Sequence, residues 1–269
     1  GKLPQTMDEL IAMAKKVKAD SGGEVAGAAM RGLRTDTNID TISGLVFNAW
    51  GDRSFDAPYG VWFDGDWDKP RLDDPAIQKG LSDYAGLMQA GPSDILSYNW
   101  NEAGNAFCNG QAAFFADASL FGPWFETDEC PVSKGNTGYM ALPPQAKGGT
   151  SYTANWQWGI GMGANAQEKD AGWYFIQYMT NKASEAVIGT FHGGAGRLST
   201  WENDSYTSTL NPDYVSATLE SMKTVRTSVV PVKDFNKYAL EIMDVILDIH
   251  GGASSEDATA KGNANFKAM

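Results

Sequence analysis

The chain has 269 residues, which is enough for a large hydrophobic core and more than one lobe. Its 33 acidic residues outnumber its 21 lysines and arginines, and the net charge of −12 excludes the basic footprint that nucleic-acid binding requires. No apolar run approaches the ~20 residues of a membrane span. Residues 1–4 lack the basic and apolar regions of a signal peptide, which leaves both a cleaved signal and a cytosolic origin open.

Start and stop signals divide the chain into helices separated by short apolar runs. Thr6 with Glu9 three residues later forms a capping box, and Asp74–Pro75 marks a second helix start. Apolar periodicity predicts further helices over residues 41–50, 102–109, 167–180, 183–190, 213–225, 235–250 and 255–267. Apolar runs predict strands over 25–30, 112–116 and 138–142, and a short hairpin over 61–67. Strands separated by helices indicate an α/β protein with largely parallel sheets.

A further strand is predicted over Ser151–Met162, and its aromatic residues make it the most informative stretch of the chain. One face would carry Tyr152, Trp156, Trp158 and Ile160, which recur at every second position. Flat indoles beside polar amides suit a sugar or polyol, whose C–H faces stack on the rings while its hydroxyls form hydrogen bonds. The alternative is a strand whose indoles fill a core.

Two charged residues directly follow predicted strands. Arg31 follows the strand over 25–30, and Asp117 follows the strand over 112–116. The carboxyl ends of strands are the usual place for ligands in open α/β sheets, so both residues are candidates for binding hydroxyls. The competing interpretations are a helix N-cap for Asp117 and a surface ion pair for Arg31.

We expect no metal and no cofactor. The glycine-rich loop Gly193–Arg197 lacks the GxGxxG spacing and follows a helix rather than a strand, which excludes a dinucleotide fingerprint. The loop is either a flexible turn with a surface arginine or a turn that holds Arg197 against a ligand hydroxyl. The acidic loop Asp64–Asp68 lacks the glycine and late glutamate of an EF-hand, so a solvated turn is expected.

Two other classes of function are weighed against ligand binding. A glycoside hydrolase or lyase would need two carboxylates across the scissile bond, and nothing in the sequence pairs its candidates, which are Asp64, Asp66, Glu102 and Asp117. A serine hydrolase is disfavoured because there is no GxSxG elbow. A protein–protein adaptor would use the aromatic residues as an interface.

The cysteines Cys108 and Cys130 leave two alternatives open. They form one disulfide if the protein works in an oxidising compartment, or they are two separate thiols.

Five segments in order resemble the extracellular solute-binding proteins of carbohydrate ABC transporters. They are Pro4–Leu10, with Met7 in place of the family's tryptophan, then Asn109–Phe114, Gly138–Pro143, Lys169–Ile176 and Gly193–Arg197, which lacks the family's proline. The tripeptides Asp117-Ala118-Ser119 and Trp156-Gln157-Trp158 resemble the sorbitol/mannitol branch of that family.

The resemblance implies an α/β, periplasmic-binding-protein-like (type II) two-lobe fold. Residues 1–158 and 204–269 would form the second, C-terminal lobe. Residues 159–203 would contribute to the first lobe, whose main part precedes the Pro4 segment in the family. This chain would then be either a fragment or an unusually short relative.

The implied function is that of a non-enzymatic substrate-binding component of an ABC importer. It would capture a sugar or polyol between two lobes as a monomer, outside the cytoplasm, and deliver it to membrane permease subunits. Trp156 and Trp158 would stack on the ligand, and Asp117, Arg31 and Arg197 would bind its hydroxyls. The remaining candidates are Gly194 beside Arg197, Trp50 as a further stacking residue, and Tyr238 or Phe235 on the far wall.

Overall fold

The computed structural model describes residues 2–192, 194–228 and 230–269 as a helix-rich α/β fold. Its strands are β1 (Ala26–Ala29), β2 (Ala112–Phe115), β3 (Thr153–Asn155) and β4 (Val225–Thr227). Its helices are α1 (Met7–Asp20), α2 (Ile39–Trp50), α3 (Pro75–Gln89), α4 (Trp100–Cys108), α5 (Gly122–Phe125), α6 (Lys169–Met179), α7 (Lys182–His192), α8 (Leu198–Trp201), α9 (Asp204–Thr207), α10 (Pro212–Met222), α11 (Phe235–His250) and α12 (Ser255–Phe266). None of the helices described is long and apolar enough to cross a membrane.

The helix starts follow the predicted capping chemistry. The Thr6 hydroxyl accepts a hydrogen bond from the backbone N–H of Glu9 at 3.1 Å, and Asp74 caps α3 by accepting from Ala76 at 2.9 Å. The Glu9 carboxylate bonds the N–H of Gln5 at 2.7 Å, one residue before the N-cap. These bonds satisfy backbone donors that have no partner within the helix, so short polar signals fix the helix starts.

Two small parallel sheets connect distant parts of the chain. β1 pairs with β2 in the register Ala26↔Ala112, and β3 pairs with β4 in the register Thr153↔Val225. Gly27 allows α1 to lie directly on β1, because a Cβ at this position would come within 1.9 Å of the Ala14 carbonyl oxygen. Parallel pairing confirms the predicted sheet type.

The main core lies between β1 and five helices. Buried apolar side chains of α1, α2, α3, α11 and α12 form one cluster, which also contains Trp62 and Phe63 from the loop before α3. A separate aromatic cluster around Phe121 and Phe125 surrounds Cys108 and Cys130.

Three of the predicted strands are wrong in whole or in part. Residues 138–142 have no strand partner among the described residues, and β3 ends at Asn155 rather than at Met162. The expected hairpin over 61–67 is reduced to a single bridge between Phe63 and Pro70. Alternation indicates which face a strand would bury, but a strand forms only where a second one donates hydrogen bonds to it.

Three helices hold the loop Pro143–Gln145 in place. Its backbone oxygens accept hydrogen bonds from Asn48 at 2.7 Å and from the N–H of Met7 at 3.0 Å. Gln145 donates to the Asp83 carboxylate on α3 at 2.8 Å. The segment that leads from this loop to β3 therefore starts from a fixed position.

Cys108 and Cys130 form a disulfide, which resolves the alternative that the sequence leaves open. The bond joins the C-terminal end of α4 to the loop that follows α5, across a sequence separation of 22 residues. Disulfides persist in oxidising compartments, so this bond is typical of an exported protein.

Helix α6 presents a large apolar surface to solvent. None of its residues is buried. Its exposed aromatic side chains, which we call the α6 aromatic face, are Trp173, Tyr174, Phe175 and Tyr178. Contiguous apolar surface of this kind marks an interaction site on a soluble protein.

Candidate ligand-binding site

Arg31 and Asp117 pair with each other at the carboxyl ends of the two strands of one sheet. Arg31 Nε donates to Asp117 Oδ2 at 2.8 Å, and Arg31 Nη2 donates to Asp117 Oδ1 at 3.2 Å. β1 ends two residues before Arg31, and β2 ends two residues before Asp117. Because β1 and β2 are parallel neighbours, their ends meet at the same edge, which brings the two side chains together.

Residues of the first turn of α2 complete this cluster. Asp40 and the hydroxyl of Thr41 both accept hydrogen bonds from Arg31 Nη2, and Thr41 Oγ1 also donates to Asp117 at 3.1 Å. Arg31 additionally lies over the ring of Trp100, with its Cζ 5.0 Å from the centroid. We call these residues, Arg31, Asp40, Thr41 and Asp117, the arginine cluster.

Burial and ion pairing oppose each other in the arginine cluster. Burial alone would lower the pKa of Arg31, but the carboxylates of Asp117 and Asp40 together raise it above its ordinary value. Burial raises the pKa of Asp117, and Arg31 acts in the opposite direction. The cluster is therefore stable only as a unit, since each buried charge depends on its partner.

Trp156 and Trp158 lie on an exposed segment directly after β3. Their ring centroids are 6.2 Å apart with an interplanar angle of 40°. Trp158 is 88% exposed and Trp156 is 40% exposed. The indoles do not fill a core, which removes the structural alternative that the sequence left open for these two residues.

β3 lies along α2, the helix whose first turn contributes to the arginine cluster. The N–H of Tyr152 bonds the side chain of Asn48 near the end of α2 at 3.4 Å. A Cβ at Gly44, one turn earlier in α2, would lie 3.6 Å from the N atom of Ala154. β3 thus runs along α2 towards the first turn of that helix, where Asp40 and Thr41 belong to the cluster.

The glycine-rich loop approaches two segments that neighbour these groups in sequence. Gly194 adopts a φ of 70°, and a Cβ there would lie 3.6 Å from Leu120 Cβ, three residues after Asp117. A Cβ on Gly196 would lie 4.0 Å from the side-chain nitrogen of Gln157, between the two tryptophans. Gly193 lies outside the described residues.

Arg197 is held by its own loop environment. Its Nε lies 2.9 Å from Glu185 Oε2, and its Nη2 donates to the Thr180 carbonyl at 2.6 Å. The guanidinium stays about half exposed, with a carboxylate already paired to it.

The structure places Trp50 and Tyr238 away from these groups. Trp50 is buried in the core, donates its indole N–H to the Arg53 carbonyl at 2.9 Å and lies under the Arg53 guanidinium. Tyr238 packs edge-on against Phe63 and Phe266, and Phe235 also packs against this core. Neither Trp50 nor Tyr238 offers a free face beside the arginine cluster, so we leave both out of the proposed site.

Sequence reasoning missed Asp40, Thr41 and Trp100. Asp40 sits in the first turn of a predicted helix, where an acidic residue ordinarily complements the helix dipole. Asp40 could have been found from its position in the sequence. It lies close to Arg31, and Arg31 and Asp117 were already candidates because each follows a strand.

The chain belongs to the family of bacterial extracellular solute-binding proteins, whose model matches residues 1–186. It is 28% identical over 208 residues to the mannitol-binding protein of Pseudomonas aeruginosa, covering 74% of this chain and 44% of that protein. The chain thus spans less than half of the length of this relative.

Solved structures share the fold. An ABC transporter solute-binding protein of Agrobacterium vitis S4 with bound D-mannitol has a TM-score of 0.78 and 22% identity, covering 99% of this chain and 66% of that one. One from Agrobacterium radiobacter K84 in complex with ribitol has a TM-score of 0.77 and 20% identity, covering 99% and 65%. The expected periplasmic-binding-protein-like α/β fold is confirmed.

Proposed function

We propose that this chain is the ligand-capturing part of an ABC importer for a sugar alcohol or a sugar of similar size. The observation that carries the proposal is an exposed indole pair directly after β3, a strand that runs along α2 towards the buried arginine cluster at the carboxyl ends of β1 and β2. Stacking surfaces and fixed hydrogen-bonding groups are the two components that recognise a polyol. The bound mannitol and ribitol of the structural neighbours agree with this ligand class.

We propose that the protein works outside the cytoplasm as a monomer and delivers its ligand to membrane permease subunits. Membership of an extracellular solute-binding family supports this location, and the disulfide is consistent with it.

Ligand capture fits the carboxylates better than hydrolysis does. A glycosidase needs two carboxylates that face each other across a bond. Here Asp117 is bound to Arg31, Asp64 pairs with Arg71 at 3.1 Å, and Glu102 accepts from the N–H of Asn99 at 3.0 Å. Each has a structural partner, so we propose binding without turnover.

The two-lobe organisation is also a proposal. Residues 1–158 and 204–269 would form one lobe, and residues 159–203 would pack against the main part of another. Two observations support it: the α6 aromatic face lies within residues 159–203, and this chain covers only 66% and 65% of the two matched solute-binding structures.

Intrinsic tryptophan fluorescence with a panel of hexitols, pentitols, hexoses and disaccharides tests the proposed function. A saturable change with one polyol, together with a rise in melting temperature, is the expected result, because a ligand that binds only the folded state stabilises it. Turnover of chromogenic glycosides would contradict the proposal, and so would silence across the panel from a folded sample.

The Trp158→Ala variant is expected to weaken polyol binding by about 1–3 kcal/mol, roughly 5- to 150-fold, because a stacked indole is lost. Isothermal titration calorimetry measures the change. Trp173→Ala is a matched control, because it removes an exposed tryptophan from α6 instead. Equal losses in both variants would contradict the site assignment.

Replacing Trp173 and Phe175 together by Ser is expected to leave the free energy of unfolding of this chain within about 0.5 kcal/mol per site. Both side chains are exposed and pack against little. The variant should remain monomeric in analytical ultracentrifugation, because apolar surface is removed. A loss of several kcal/mol in urea denaturation would instead mean that these residues stabilise the chain itself.

A further inference from the structure

The charged members of the arginine cluster differ in their access to a ligand. The side chains of Arg31 and Asp117 are 2% and 1% exposed, whereas that of Asp40 is 15% exposed. Arg31 and Asp117 are therefore closed to a ligand unless the cluster rearranges. Asp40 is the charged group that an incoming molecule can touch.

Asp40 also retains hydrogen-bonding capacity. Its Oδ1 accepts from Arg31 and from the N–H of Thr41 at 2.6 Å. Among the described residues its hydrogen bonds all involve Oδ1. A carboxylate oxygen accepts hydrogen bonds and donates none, so Oδ2 is suited to a hydroxyl or an ammonium group.

The positive charges near the site are already engaged. Arg31 is shared by two carboxylates, Arg197 is paired with Glu185, and the guanidinium of Arg226 lies over the rings of Tyr152 and Phe55. An anionic ligand would therefore bring its charge towards Asp40, while the buried cation beside it, Arg31, is already shared by two carboxylates. Like charges placed together in a partly buried site are costly.

We propose that Asp40 is the ligand-contacting carboxylate of the site and that it selects neutral and cationic polyols against sugar acids. Arg31 and Asp117 are positioning residues, because they hold Asp40 in place from inside the fold. This inference rests on the proposed function and refines its ligand class. It also assigns amino polyols as acceptable ligands, because an ammonium group can donate to Oδ2.

Three ligands with the same carbon chain and the same hydroxyl stereochemistry test the proposal. D-Glucitol, D-gluconate and 1-amino-1-deoxy-D-glucitol differ only at the first carbon, which carries a hydroxyl, a carboxylate or an ammonium group. Calorimetry at pH 7 is expected to give at least about tenfold weaker binding for gluconate than for glucitol. The amino polyol should bind as tightly as glucitol or more tightly.

The Asp40→Asn variant removes the charge but keeps the size of the side chain. It is expected to bind glucitol more weakly and to lose most of the discrimination against gluconate. Asp36→Asn is the matched control, because it changes the same charge four residues earlier, on a side chain that makes no ion pair among the described residues. This control should keep the wild-type ratio between gluconate and glucitol.

Each outcome distinguishes the inference from the proposed function. Equal binding of gluconate and glucitol by the wild-type chain overturns the inference but leaves polyol capture intact. Discrimination that survives in Asp40→Asn also overturns it. Silence of all three ligands and of the wider polyol panel overturns the proposed function, and the inference with it. The comparison in the wild-type chain does not depend on any variant folding.

Discussion

The Asp117→Ala variant is expected to lower the free energy of unfolding by about 3–5 kcal/mol, the range found when one partner of a buried ion pair is removed. The guanidinium of Arg31 would stay buried and would lose two of its hydrogen bonds, at 2.8 and 3.2 Å. Asp40 would remain as its only carboxylate partner. Urea denaturation followed by circular dichroism measures the change.

Asp128→Ala is the matched control for this experiment. The Asp128 side chain is 95% exposed and, among the described residues, pairs with Lys134 on the surface, so its removal is expected to leave the free energy of unfolding essentially unchanged. A loss below 1 kcal/mol in Asp117→Ala would contradict a buried, mutually dependent arginine cluster. Contacts other than the Arg31–Asp117 pair would then have to stabilise the carboxyl ends of β1 and β2.

Replacing Cys108 and Cys130 together by Ser is expected to lower the free energy of unfolding by about 3 kcal/mol. The bond closes a loop across 22 residues, and a loop of that size corresponds to roughly this loss in the chain-entropy account of disulfides. Thermal and urea unfolding of the oxidised wild type and the double variant measure the difference.

Reduction of the wild-type protein provides the control. A reductant should lower the melting temperature of the wild type towards that of the double variant, and it should leave the double variant unchanged. A melting temperature that does not respond to reductant would contradict the stabilising role of the bond.

The helices could be predicted from the sequence because their signals are local. Thr6, Asp74 and Pro75 satisfy or remove backbone donors within a few residues of where they stand, so the first and third helices start where these signals place them. The last two long helices, α11 and α12, also lie where apolar periodicity predicts them.

The strands were predicted less well because a strand needs a distant partner. Residues 25–30 and 112–116 pair with each other, and most of each segment is a strand. Residues 138–142 have equally apolar composition but no partner strand among the described residues. After Asn155 the alternation continues, yet a Cβ at Gly159 or Gly161 would meet nothing within 4 Å. Local pattern cannot supply the second strand.

The sequence predicts several residues of the candidate site, but it does not predict which of them contact each other. Arg31 and Asp117 were both identified from their positions after strands, but their mutual ion pair spans 86 residues of sequence and became visible only in the fold. Asp40 was missed because its position in a first helical turn has an ordinary explanation. Trp50 was included because helix periodicity does not distinguish a core indole from one that faces a cleft.

The fixed loop Pro143–Gln145 makes the turn that follows it suitable for protein engineering. Residues 146–150 are all exposed, with helices α1, α2 and α3 holding the chain before them and β3 holding it shortly after them. Exposed turns between two anchored ends are where insertions are tolerated. A fluorescent domain inserted between Gly148 and Gly149 is therefore expected to leave both sheets intact, while sitting a few residues before Trp156. That position would turn the chain into the scaffold of a polyol biosensor.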